Sequence, residues 1–281
     1  MQIVKETQAL RRQFEQQVAS LPELDFFSQI WVQDVLHPKW CYMLDEQSNI
    51  CLRIPNSKKW GLSAYLQPLF IRSLHVFSVA QSKALVHLLE QKMLLHLNLN
   101  LSVTHQTKTG IFQKLTWNGG ISEIRNGYSE NIRRNLKKAK GLEIQAISYQ
   151  NFQSFFVSQK GENLGNLTSQ AWQRLEKLVG VAQTKDAVFC VGAYSQGQLL
   201  AAALFFKWQG QLYFMKGTLS EAGKKVSALI FLMDAVLETY AETHKAIDFI
   251  GSNQESIAAF YRKFGAKDYH YSVVKGRIPL V

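Results

Sequence analysis

Residues 187–217 hold three apolar runs, "AVFCVGAY", "QLLAAALFFKW" and "QLYFMKG", separated only by the turns "SQGQ" and "QG". Runs of this length and composition, joined by such short connections, read as consecutive strands of one sheet. A long helix is expected directly after them, over 224–243. There Val226, Leu229, Ile230, Met233, Val236, Leu237 and Tyr240 recur at helical spacing, with Asp234, Glu238 and Glu242 on an outer face. The strand "AIDFI", a helix over 253–264 and the strand "DYHYSVV" complete this half of the chain. Its opening reads as the strand "LEIQAIS" and two helices, around 150–160 and 168–182.

The first half carries a similar order with weaker signals. Helices are expected at about 5–19 and 25–35, then a three-strand patch of "CYML", "ICLRI" and "LSAYL". A helix at 81–93 follows, then a strand "LHLNLNLSV" in which apolar residues alternate, a strand "FQKLTW" and a basic helix at 129–140. The two halves look like variations on one mixed α/β plan. The expectation is a duplicated fold with two tandem domains, 1–141 and 142–281, each a mixed central sheet flanked by helices.

Composition narrows the partners. With 47% hydrophobic and 19% charged residues there is ample material for a core. The longest apolar runs, "LLAAALFF" and "ALIFLM", fall well short of the roughly 18–20 residues of a membrane helix, and "MQIVKETQALRRQFEQQ" has no apolar signal core, so no membrane span and a cytoplasmic location are expected. Cys41, Cys51 and Cys190 form no C-x-x-C pair and the seven histidines lack ligand spacing, so no metal is expected. The net charge of +11 favours an anionic partner: a nucleic acid, a membrane surface or a phosphate-bearing small molecule.

Several short segments bear on chemistry. Gly223, Lys224, Lys225 and Ser227 cluster where a strand runs into the expected long helix. Free N–H groups at such a terminus make an anion cradle, whereas two solvated lysines on a loop are the plainer reading. In "GSNQESIAAFYRKFGA" (251–266), Ser252 and Glu255 match a capping box, Ile257, Phe260, Tyr261 and Phe264 form an inward stripe, and Gly265 is placed as a left-handed cap. Tyr261 therefore faces the sheet, either as a core tyrosine or as a phenol aimed into a cleft. Asp248, inside "AIDFI", is a structural support for the following loop first and a candidate base second. The run 131–141 carries Arg133, Arg134, Lys137, Lys138 and Lys140 without an acid, a solvated face or a docking surface for an anion.

"NQESIAAFYRKFGA" resembles the asparagine–helix–"YxKxG" segment of the GNAT (N-acetyltransferase) superfamily, in which tyrosine lies four residues before glycine, as Tyr261 does before Gly265. The strand–loop–helix at 211–230 lies where that family places its pyrophosphate loop. "YSENIRRNLKKAKGLEI" and "IDFIGSNQESIAAFYRKFGA" resemble segments of the two-domain Fem-type peptidyltransferases. The family's loop pattern, Q/R-x-x-G-x-G/A, is met by "GKKVSA" (223–228) only at Ala228, and Val226 stands at the central glycine position.

The resemblance implies tandem GNAT-like domains and acyl transfer from acetyl-CoA or another acyl-CoA to the amine of a small molecule or peptide. It assigns the donor to Met215, Lys216, Gly223, Lys224, Lys225, Val226, Ser227, Ala228 and Asn253. The edge at Met215–Lys216 would polarise the carbonyl, Tyr261 would protonate the departing thiolate, and Asp248 is the second catalytic candidate. The N-terminal domain is assigned to acceptor binding or scaffolding. Two alternatives remain: a Fem-like transferase drawing an aminoacyl group from transfer RNA, and a catalytically silent binding protein.

Overall fold

A computed structural model describes residues 1–21, 23–77, 82–101, 108–139, 141–161, 167–251 and 253–277. The chain forms two compact units. Unit 1 comprises residues 1–111 with 270–281, and unit 2 comprises residues 112–269.

In unit 1, Gln2–Lys5 (β1) precedes helix Gln8–Ala19 (α1), a single 3-10 turn at Phe26–Ser28 and helix Ile30–Leu36 (α2). Strands Trp40–Leu44 (β2) and Ile50–Pro55 (β3) follow, then the short hairpin Ser57–Lys59 (β4) and Leu62–Leu66 (β5). Leu74–His75 (β6), helix Ser82–Glu90 (α3) and Leu95–Asn100 (β7) complete this run. The β1, β2 and β3 strands make an antiparallel sheet, and β5 pairs with β7 in parallel. The third partner of "CYML" and "ICLRI" is thus β1, not "LSAYL". Local pattern could not reveal this, because β1 earns its strand state from pairing with β2 some forty residues on. Cys41, Cys51 and, in unit 2, Cys190 are buried free thiols.

Lys108–Thr116 (β8) crosses the boundary at 111/112, and unit 2 then begins with helices Gly120–Asn126 (α4) and Glu130–Lys138 (α5). It continues with strand Glu143–Ala146 (β9), helices Tyr149–Lys160 (α6) and Ser169–Gln183 (α7), and strands Val188–Ser195 (β10), Gln198–Trp208 (β11) and Gln211–Leu219 (β12). Helices Glu221–Lys225 (α8) and Ala228–Tyr240 (α9), strand Ala246–Asp248 (β13) and helix Glu255–Arg262 (α10) follow, and strand Lys267–Lys275 (β14) crosses back into unit 1 at 269/270. The sheet of unit 2 runs β8-β13-β12-β11-β10-β9, antiparallel except for the parallel β12–β13 pair. The turn between β11 and β12 holds Gln209 and Gly210 at φ 46 and 72, the left-handed pair of a tight hairpin.

One face of this sheet carries a core of Trp117, Ile124, Tyr128, Ile132, Phe205, Phe214, Leu232, Met233, Leu237, Tyr261 and Phe264. Residues of α4 and α5 belong to it, so the segment 112–141 folds within unit 2 although the sequence placed it before a boundary near 142. Its apolar residues find their surface on α9, a partner invisible to local pattern. The other face is covered by α6 and α7, where the rings of Phe156 and Trp172 meet edge-on at 5.5 Å.

The expected helix at 224–243 is two helices. Ser220 caps α8 by accepting from the Gly223 N–H at 3.1 Å, Val226 ends it, and Ser227 adopts φ 59 before α9 begins at Ala228. Lys224 and Lys225 consequently occupy the last turn of α8, where cations complement the helix dipole, and not the first turn of a long helix. The outer face assigned to Asp234 is also corrected. Asp234 is buried, and it accepts from Arg125 Nε (3.1 Å), Arg125 Nη2 (2.8 Å) and Tyr128 OH (2.9 Å), which ties α4 and the turn after it to α9. Ile257, expected inward on α10, is exposed, and Ala258 is buried in its stead. Ser252 lies outside the described residues, and with it the expected capping box; Lys140 of the basic run does as well.

Candidate functional site

Parallel pairing of β12 with β13 covers three residue pairs, Gln211 with Ala246, Leu212 with Ile247 and Tyr213 with Asp248. There β13 ends, while β12 continues through Phe214 to Leu219 beside β11 alone. A bulge falls at the same place, since Leu204 registers with Lys216 and Phe205 with Phe214, leaving Met215 as the extra residue. The two strands therefore fork, and backbone groups of β12 beyond Tyr213 have lost their partner strand.

Tyr261 sits at this fork. Its ring stacks on Phe249, the first residue beyond β13, with centroids 4.4 Å apart, and meets Phe214, the first beyond the paired stretch of β12, edge-on at 6.1 Å. The residue is 8% exposed, and among the described residues its hydroxyl has no hydrogen-bond partner. Burial alone pushes its pKa up, so the phenol stays protonated through the neutral range. The inward stripe of α10 predicts this orientation, and Gly265 caps the helix at φ 90 as expected.

The first turn of α9 borders the same strand. A Cβ on Gly217 would meet the Phe214 ring and stand 3.4 Å from Leu229 Cδ1, so Leu229 lies over β12 just past the fork. No side chain caps α9, and the first bond into its backbone ladder is Phe231 N–H to Ser227 C=O at 3.1 Å. The amides of Ala228, Leu229 and Ile230 precede that bond, an arrangement suited to an anion.

The other sequence-selected residues divide. Met215 is buried at the bulge, and Lys216 follows it half-buried, its ammonium pKa pushed down by burial. Gly223 is committed to packing: its N–H serves Ser220, and a Cβ there would collide with the Leu200 carbonyl oxygen. The Lys224 amide donates to Ser220 C=O at 3.0 Å, and its ammonium pairs with Glu221. Lys225 is exposed beside it, Val226 is half-buried against the core, and Asn253 is exposed in the turn before α10. Asp248, 3% exposed, accepts from the Ile250 N–H at 2.7 Å, which fixes the turn where Ile250 and Gly251 have φ 59 and 88.

Sequence reasoning missed the buried polar groups under α6 and α7, discussed below, because their faces depend on sheet register. Among the described residues no group of His, Cys, Asp and Glu side chains is arranged to hold a metal ion, and no helix is long and apolar enough to cross a membrane.

A model described as "acetyltransferase (GNAT) domain" matches residues 126–269, and the chain belongs to that family. Solved structures extend the likeness over nearly the whole chain. FemX superposes with a TM-score of 0.64 at 11% identity, covering 96% of either chain. A tandem GNAT protein from the clavulanic acid biosynthesis pathway gives 0.54 at 11% identity, covering 97% of this chain and 96% of that one. The C-terminal domain of a putative lysylphosphatidylglycerol synthetase from Agrobacterium fabrum gives 0.50 at 11% identity, over 95% and 93%. At such identities the likeness is one of fold. No curated protein sequence matches the chain.

Proposed function

We propose that the protein is an N-acyltransferase that moves an acyl group from acyl-CoA, acetyl-CoA being the simplest, to the amine of a small molecule or peptide. The observation that carries this reading is the β12–β13 fork with the unpartnered phenol of Tyr261 at its apex. The uncapped first turn of α9 binds the pyrophosphate, with Ser227 and Ala228 at its rim and Lys224 and Lys225 adding positive charge at the end of α8. Val226 does not prevent this, because the left-handed backbone state falls one residue later, at Ser227.

At the fork, a backbone N–H of the Met215–Lys216 edge polarises the thioester carbonyl. The acceptor amine attacks that carbon and releases its proton to water, the carbon–sulfur bond breaks, and Tyr261 donates its proton to the leaving thiolate and regains one from water. Asp248 holds the turn that follows β13 and acts on the reaction through that turn. Unit 1, whose buried arginines are paired with its own carboxylates, serves as scaffold.

One observation favours a second reading, a Fem-like transfer from aminoacyl-tRNA. Arg134, Lys137 and Lys138 form an exposed cationic face on α5. Thermal-shift titrations with acetyl-CoA, CoA and transfer RNA at two salt concentrations separate the readings. Stabilisation by acetyl-CoA and CoA alone is expected. A salt-steep response to RNA alone would transfer the site to the second reading, and no response to any of the three would leave a silent member of the family.

A further inference from the structure

On the face of unit 2 that α6 and α7 cover, several polar groups have no partner. Thr218 and Tyr149 are 1% and 3% exposed, and their hydroxyls make no hydrogen bond; neither does the indole N–H of Trp172. Lys216 likewise has no anionic or hydrogen-bonding partner among the described residues. Register places them on that face. Cys190, Leu204 and Lys216 lie in one row across β10, β11 and β12, and Gly192, Ala202 and Thr218 lie in the next. Phe205 and Phe214 point into the opposite core, so Leu204 and Lys216 point toward α6 and α7. The row through Thr218 is otherwise glycine and alanine; the side chains of Leu199, Tyr194 and Ile147 fill the space over Gly192, so the open donors of the sheet lie at its β12 end.

Buried polar atoms are nearly always satisfied, and a cluster of exceptions calls for a cause. Lysine and tryptophan can only donate, and the two hydroxyls are free to do so. Lys216 and Thr218, two residues apart on one face of β12, set a hydroxyl beside an unneutralised cation, a pair that fits a ligand made of acceptors that carries negative charge. Lys216 also follows the bulged Met215, so such a ligand would lie one residue from the edge assigned above to the reacting carbonyl.

We propose that Lys216 and Thr218 bind a carboxylate of the acceptor, which makes the acceptor an amino acid with the reactive amine close to its carboxylate. This rests on the transferase reading only for the word acceptor; the pocket itself rests on the unpartnered donors. Depression of the Lys216 pKa by burial is what a site kept ready for an anion would produce, since the arriving carboxylate restores the charged form.

The test uses the full chain and matched probes: L-amino acids with small, aromatic and acidic side chains, and the corresponding amino-acid amides, titrated calorimetrically, with acetyl-CoA titrated separately. At least one acid is expected to bind tenfold or more tightly than its amide. Lys216→Met should abolish that preference, Lys216→Arg should retain part of it, and Thr218→Val should weaken it. Lys216→Met and Thr218→Val should also raise the melting temperature, because each removes a buried group without a partner; a purely structural role would lower stability and binding together. Equal binding of acids and amides, or no binding of either, overturns the pocket. Acetyl-CoA binding without an acid preference keeps the transferase and discards the pocket, and the reverse keeps the pocket and discards the donor.

Discussion

The two units differ in how they treat buried cations, although each also buries polar atoms without a partner, Ser73 Oγ and Arg53 Nε among those of unit 1. In unit 1, Arg53 is 1% exposed, yet its guanidinium pairs with Glu6 at 2.8 Å and Asp34 at 2.7 Å and donates to Gln33 Oε1 at 3.1 Å, lying 4.6 Å over the Trp40 ring. Tyr42 donates to the same Glu6 at 2.8 Å, and Arg72 pairs with Asp25 at 3.1 Å. In unit 2, Lys216 and the hydroxyls of Tyr149, Thr218 and Tyr261 lack such partners. A buried charge that is neutralised in place is costly to break; one left open costs stability as it stands.

High pH should test the contrast with the largest effect. Burial raises the pKa of Tyr128, Tyr149 and Tyr261 in unit 2, as it does that of Tyr42 in unit 1, and it pushes the Cys190 thiol up to about 12. A phenol whose folded pKa exceeds its unfolded value of about 10 contributes stability in full below that pH and loses it as pH climbs toward the folded value. Unfolding followed by phenolate absorbance should therefore begin above about pH 10. Most of the protected phenols should ionise together as unit 2 opens. Smooth titration of all tyrosines without unfolding would mean that the burial is not maintained.

The next effect belongs to unit 1. Replacing Arg53 by methionine removes the buried cation between Glu6 and Asp34 and leaves them the half-exposed Arg11 alone. The expected loss is about 3 kcal/mol, the low end for a broken buried pair because both carboxylates keep some contact with water. Chemical denaturation measures it, and a loss below about 1 kcal/mol would show that the network is dispensable.

What the sequence made legible follows the range of the forces involved. The β10–β12 strands and the inward side of α10 are written in local alternation, spacing and turn residues, so Tyr261 could be oriented before any contact was known. The break of the expected long helix at Ser227 could not be foreseen, because a single left-handed residue leaves the apolar spacing of 229–240 intact. Asp234 was assigned outward because its partners, Arg125 and Tyr128, lie more than a hundred residues away in sequence. The open donors on the α6 and α7 side depend on a bulge and on register across three strands, neither of which a single run of residues carries.

Asp234 then sharpens the comparison from within unit 2, since its carboxylate is as fully engaged as those around Arg53. Asp234→Ala removes three hydrogen bonds and leaves the Tyr128 hydroxyl buried without an acceptor. About 2 kcal/mol should be lost, read as a lowered denaturation midpoint, with acetyl-CoA affinity unchanged in the folded fraction. A selective loss of affinity would place this cluster in the site.

Tyr261→Phe should have the smallest effect on stability of all, and that is its value. The ring contacts with Phe249 and Phe214 survive the change, and the lost hydroxyl has no hydrogen bond to give up. Stability should stay within about 0.5 kcal/mol of the parent. If the phenol protonates the leaving thiolate, turnover of acyl-CoA should still fall tenfold or more, with the donor KM little changed. The alkaline limb of the rate profile, which reports loss of that proton, should move or vanish in the variant. A core tyrosine predicts the opposite signature: unchanged turnover and an unchanged profile. The unpartnered hydroxyl at the fork would then be a packing accident, and the division between a satisfied scaffold and an open site would rest on Lys216 and Thr218 alone.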